Sequence, residues 1–140
     1  MLVELLISTG MVVLTVVIHG IGLAGMGRVF HAEEGGRGRA RLSVFSPRGV
    51  GFMIAIALAL FVLHGIEIWL YAALYNLLDA VPDFRTAVYF STATYGTVGY
   101  DDSALDAKWL LIGGIEGING MLLLGWSTAF FVTVITRLRV

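Results

Sequence analysis

Residues 84–102 read FRTAVYFSTATYGTVGYDD, and the way this stretch enters the molecule decides the fold. Its first twelve residues are apolar and aromatic, and Pro82-Asp83 just ahead of them forms a helix start with Asp83 as the N-cap. As a helix they reach only about 18 Å, well short of a roughly 30 Å hydrocarbon core. From Gly96 onward the run Gly-Thr-Val-Gly-Tyr-Asp-Asp reads as non-helical. A half-length helix followed by irregular backbone has two readings, a re-entrant loop or a helix lying flat at the membrane interface. In the first reading, irregular backbone at membrane depth survives only if it is buried in protein or lines a watery path.

The rest of the chain supplies the membrane. Of 140 residues, 58% are hydrophobic and 14% charged, against about 45–50% and 25% in soluble domains. Mean hydropathy is +0.88. Three stretches are long enough to cross: 5–27 without a formal charge, 49–78 with Glu67 as its one carboxylate, and 109–136 with Glu116 alone. The leading Met1–Glu4 segment has an acidic residue and no Lys or Arg, and no A-x-A-like site follows, so the first stretch is expected to stay as a span rather than be cleaved. The absence of cysteine excludes disulfides and cysteine-based metal sites. A net charge of −1 argues against nucleic acid as a partner. The fold class is an all-α membrane protein of three transmembrane helices, with the short segment between the second and third.

Charge sets the orientation. Arg28, Arg37, Arg39, Arg41 and Arg48 lie between the first two spans, and Arg137 and Arg139 follow the third. The segment 79–108 holds only Arg85 and Lys108 against five aspartates. Basic loops stay in the cytoplasm, so the first loop and the C-terminus are expected inside and the N-terminus outside, in a cell (inner) membrane. The inner arginines also suit anionic lipid head groups.

The string Thr94 to Asp102, TYGTVGYDD, resembles the selectivity filter of the potassium channel superfamily, usually T-V-G-Y-G-D. Thr97-Val98-Gly99-Tyr100 match and, after one substitution, so does Asp102. The resemblance covers roughly residues 50–136 and implies an ion-channel pore domain at 49–140; the N-terminal transmembrane helix at 1–27 lies outside that unit, joined to it by the basic cytoplasmic linker at 28–48. Within that domain it implies an outer helix 49–78, a pore helix 84–95 supported by Ser91, Thr94 and Tyr95, a filter 96–102 and an inner helix 109–136. Four copies would ring the carbonyls of Thr97, Val98, Gly99, Tyr100 and Asp101 around permeating K⁺, with Asp102 at the outer mouth and the Thr97 hydroxyl at the inner end. A homotetramer in the lipid bilayer is thereby implied, with potassium as permeant ion and no cofactor. The filter backbone is expected to alternate in hand, with Gly99 in a left-handed position. Asp101 stands where the family has its second glycine. Asp visits the left-handed region, and four such carboxylates would concentrate cations at the mouth. A poorly selective cation channel and a non-conducting scaffold subunit are the alternatives.

Ionisable groups within spans are functional suspects. Glu67 and His64 share a helix face, and Glu67 and Glu116 are expected behind the filter, bonding its backbone or Tyr95 and Tyr100. The competing reading makes them simple interhelical hydrogen-bonders. A metal site or intramembrane enzyme built on His64 and Glu67 lacks a third converging ligand in sequence, and His19 is expected only to pack. Gly113 and Gly117 suit close helix packing, Gly120 and Gly125 a gating hinge or packing, and Asn119 contacts between subunits. No nucleotide loop or hydrolytic triad is present.

Overall fold

The computed structural model describes residues 1–36, 45–99 and 104–137. Among these the chain is helical, with α1 at Leu2–Gly36, α2 at Pro47–Leu77, α3 at Phe84–Tyr95 and α4 at Leu110–Arg137, the last led in by a 3-10 turn at Ala107–Trp109. Three stretches are long and apolar enough to cross a membrane: Leu2–Val29, Pro47–Leu77 and Ala107–Arg137. The 12 residues of α3 are not.

Local chemistry sets the ends. Helix α1 runs on into the segment 28–36, expected as linker, because no helix breaker occurs before Gly35-Gly36. Helix α2 begins two residues ahead of the expected Gly49, where Ser46 accepts from the Gly49 amide at 3.0 Å and Pro47 takes the first turn. At the start of α3, Asp83 accepts from the Thr86 amide at 3.0 Å and the Thr86 hydroxyl at 2.8 Å.

Helices α2 and α3 close with the same backbone device, each on a non-glycine residue. After α2, Asp79 has φ 48° and the Ala80 amide donates back to the Tyr75 carbonyl. After α3, Thr97 has φ 54°, its amide donates to the Thr94 carbonyl at 3.1 Å, and the Val98 amide donates to the Ala93 carbonyl at 3.0 Å. This pairing is a Schellman cap, whose left-handed residue is usually glycine. The left-handed residue in the described stretch after α3 is thus Thr97, and Gly99, expected there, lies outside that region. The Asp106 amide bonds the Ala80 carbonyl at 2.9 Å and ties the two ends of the α3 loop together.

Packing is the reverse of a soluble bundle. Helix α1 buries Ser8, Thr15, His19 and Leu23 on one face, against α4 and α2, and exposes Leu6, Val13, Val17 and Ile21 on the other. The polar side chains go inward because lipid offers them no partner. Helix α3 is held between α2 and α4, and Tyr71, Tyr75, Ala87, Phe90 and Ile112 form the apolar layer around its outer half. The Tyr75 and Phe90 rings meet edge-to-face at 5.3 Å. Trp69 is exposed with its ring edge-on to Phe84, whereas Tyr71 and Tyr75 are fully buried.

Candidate functional site

Two carboxylates, both fully buried, hold the short helix α3 from the neighbouring helices α2 and α4. Glu116 on α4 accepts from the Tyr75 hydroxyl and from the Ser91 hydroxyl, each at 2.5 Å. Ser91 also lies 2.9 Å from the Ile68 carbonyl oxygen, so the middle of α3 is fastened to both α2 and α4. Glu67 on α2 accepts from the Tyr95 hydroxyl at the last turn of α3. In this way each glutamate holds one level of the short helix: Ser91 at its centre, Tyr95 at its foot.

Around Glu67 the hydrogen bonds continue. Its other oxygen lies 2.9 Å from His19 Nδ1 of α1. The His64 Nδ1 atom lies 2.9 Å from the Tyr95 hydroxyl, and His64 Nε2 is 2.9 Å from Ser127 Oγ of α4. Ser127 in turn lies 3.2 Å from His19 Nε2. Two expectations fail here. His19 is a hydrogen-bonded member of the cluster rather than a packing residue, and a third potential ligand does join His64 and Glu67. Sequence separation hid it, since His19 and Glu67 are 48 positions apart on different helices. The buried stripe of polar residues on α1 is the signal that points to it: an unpaired histidine in lipid is costly, so it must find a partner.

Asn119 is likewise internal. It is buried and donates to Thr15 Oγ1 at 2.8 Å and to the Tyr71 hydroxyl at 3.3 Å, which joins α4 to α1 and α2 within one chain rather than between subunits. Thr128 and Thr133 bond their own helix at Leu124 and Ala129.

The glycines of α4 differ from one another. A Cβ on Gly120 would sit 2.3 Å from the Tyr95 carbonyl oxygen, and one on Gly117 3.4 Å from the Thr94 carbonyl oxygen. The backbone of α4 therefore rests directly on the foot of α3. A Cβ on Gly125 would meet nothing within 4 Å. Thr94 is buried, and its hydroxyl has no hydrogen-bond partner among the described residues.

Beyond this anchorage the chain turns outward. Thr97, Val98 and Gly99 are exposed, Val98 at 85%. Thr97 and Gly99 border a hollow lined also by Ala93, Thr94, Gly114, Gly117 and Met121. Tyr100, Asp101 and Asp102 lie outside the described residues.

A family model described as ion channel matches residues 57–137, from the middle of α2 through α3 to the last residue of α4. No curated protein and no solved structure matches the chain. A short helix fastened between two apolar spans, with irregular backbone turned out from its foot, is the geometry of that match, and the chain belongs to the ion channel family.

Proposed function

We propose that four copies of this chain form a passive K⁺ channel, with the carbonyls of Thr97, Val98, Gly99 and Tyr100 as the rings that replace the ion's hydration shell. Membership of the ion channel family and three membrane-span-capable helices support a multi-pass membrane protein of the transport class. One observation carries the finer reading. Glu67, Ser91, Tyr95 and Glu116, which fasten the middle and foot of α3, are buried inside the protomer, while Thr97, Val98 and Gly99 just after it are exposed. Such a segment is incomplete alone, and fourfold symmetry supplies its other walls. The hollow beside Gly113, Gly114 and Gly117 is the natural seat of the neighbouring copy.

In this reading the N-terminus and the α3 loop face outward and the basic segment 28–48 faces the cytoplasm. The foot of α3 points its carbonyl end toward the membrane centre, where partial negative charge favours a cation. Asp101 and Asp102 add up to eight carboxylates around the outer mouth of a tetramer and draw cations to it. No cofactor enters the reaction, and K⁺ is the permeant ion. Glu67 and Glu116 act as supports behind the filter.

The test uses proteoliposomes loaded with K⁺ and a Gly99→Ala variant. A Cβ at Gly99 meets nothing within 4 Å among the described residues, so the protomer is expected to fold and a loss of flux to report on the ring made by copies. The expected result is K⁺ flux from the native protein, none from the variant, and a tetramer on native mass measurement for both. A monomeric native protein, or equal flux from both proteins, contradicts the proposal.

A further inference from the structure

Five side chains from all four helices close a ring behind the foot of α3. In order they are His19, Glu67, Tyr95, His64 and Ser127, and five hydrogen bonds join them: His19 Nδ1 to Glu67 Oε1 at 2.9 Å, Glu67 Oε2 to the Tyr95 hydroxyl, that hydroxyl to His64 Nδ1 at 2.9 Å, His64 Nε2 to Ser127 Oγ at 2.9 Å, and Ser127 Oγ to His19 Nε2 at 3.2 Å; beside the Tyr95 hydroxyl, His64 Nδ1 also lies 3.3 Å from Glu67 Oε2. His19 and Glu67 are fully buried, and Ser127 and Tyr95 nearly so.

Each hydrogen bond uses one proton, so the closed ring holds five. With Glu67 ionised, Tyr95 and Ser127 supply two and the histidines must supply three, which makes one of them imidazolium. With Glu67 protonated, all five groups are neutral and the bonds run head to tail around the ring. Every arrangement that completes the five bonds has zero net charge. One proton fewer sets two lone pairs against each other, and one proton more sets two hydrogens against each other. A neutral, fully bonded ring is what low-dielectric surroundings favour, since both a net charge and an unmade bond are costly there.

The same atoms of His19, His64 and Glu67 lie within 4.8 Å of one another, as metal ligands do. A tetrahedral zinc site, however, keeps its ligand atoms about 3.3 Å apart with lone pairs aimed at a common centre. Here His64 Nδ1 lies 3.3 Å from Glu67 Oε2, but His19 Nδ1 is 2.9 Å from Glu67 Oε1, and the ligand atoms are engaged with each other or with Tyr95 and Ser127. The set is complete with protons alone.

We infer that α1 is a working part of the pore: His19 is a positioning residue that acts through Glu67 to hold Tyr95, and so the start of the filter, in place. The inference rests on the channel reading above. Tyr95 is the last residue of α3, its backbone carries α4 at Gly120, and Thr97 turns left-handed two residues later. A shift of the Tyr95 ring is therefore passed directly to the first carbonyls of the filter. His19 also packs at 5.3 Å on Trp126 and 5.2 Å on His64, so ring shape and hydrogen bonding must be separated experimentally.

His19→Phe keeps the aromatic shape and removes the bonds, whereas His19→Asn keeps one polar group where Nδ1 stood. In bilayers, the phenylalanine variant is expected to lower the K⁺ over Na⁺ permeability ratio by about tenfold, the factor that one buried hydrogen bond carries, and the asparagine variant to recover most of it. Equal behaviour of the two variants, whether both normal or both equally impaired, overturns the inference. Should the phenylalanine variant fail to assemble, ¹⁵N spectra of the histidine-labelled native protein decide. Hydrogen-bonded signatures at both nitrogens of His19 and His64 are expected, and an unbonded nitrogen in either ring overturns the inference. Native protein that carries no current refutes the channel reading instead, and the spectra still report on the ring.

Discussion

Replacing Gly120 by alanine tests whether the inner span rests on the foot of the short helix. The added methyl would lie 2.3 Å from the Tyr95 carbonyl oxygen and 2.9 Å from both its carbonyl carbon and its Cα. Ordinary contact needs about 3.5 Å, so α4 must withdraw by about 1 Å. All three obstructing atoms are backbone, so no side-chain rotation relieves the clash. Overpacking of this kind costs roughly 1–3 kcal/mol, and the better helix propensity of alanine offsets about 1 kcal/mol of it. A net loss of about 1–2 kcal/mol is expected for Gly120→Ala. Gly125→Ala, where a Cβ meets nothing within 4 Å, is expected to gain about 0.5–1 kcal/mol from the same propensity term. Denaturant titration of the purified protein in detergent micelles, followed by Trp fluorescence, measures both. If Gly120→Ala is as stable as Gly125→Ala, the contact between α4 and the Tyr95 backbone does not exist as described. The two variants also separate packing from hinging, because a hinge at Gly125 would be stiffened by alanine and alter gating without loss of stability.

Three further outcomes follow from the same geometry. Glu116→Ala removes the carboxylate bonded by the buried Ser91 and Tyr75 hydroxyls, leaving Ser91 the Ile68 carbonyl, and is expected to destabilise by about 1–3 kcal/mol, while Glu116→Gln retains bonds to both and loses less than about 1 kcal/mol, measured in the same titration. Thr97→Gly releases a left-handed residue at φ 54° and is expected to stabilise the protomer by about 1 kcal/mol, yet to weaken K⁺ flux because the hydroxyl at the inner end of the filter is gone. The amide of Thr86, and then its hydroxyl, hold the Asp83 carboxyl below its ordinary value of 3.8. Its folded value lies under its unfolded one, so its contribution is present above that range and is lost as pH falls through the folded value. Thermal melts between pH 5 and pH 2.5 are expected to show an acid loss that Asp83→Ser, a cap that does not titrate, lacks.

Most of the architecture was legible because lipid makes simple demands. Span lengths follow from apolar runs, and the twelve residues of α3 stand out because they are too few to cross. The ends were less so: the Ser46-Pro47 start of α2 is a local signal that apolar counting passes over, and α1 continues through Arg28 because charge does not stop a helix. What composition could not give was the partnership of polar groups. Glu67 and Glu116 were suspects as lone carboxylates in apolar runs, but their partners depend on which faces meet. Those faces join His19 to Glu67 across 48 positions and Asn119 to Thr15 across 104. The buried face of α1 carries Ser8, Thr15 and His19 at spacings of seven and four, a helical stripe that marks a side turned to protein rather than to lipid. The left-handed turn fell on Thr97 instead of Gly99 because the cap of α3 fixes its position by backbone bonds, whatever the side chain there.

The central claim, that the segment after α3 selects K⁺, is tested most directly by the reversal potential of the native protein in a planar bilayer with K⁺ on one side and Na⁺ on the other. The account expects a reversal near the K⁺ equilibrium value, with Asp101 serving in place of the usual second glycine. A reversal near zero with clear current would contradict it and make the protein a non-selective cation channel.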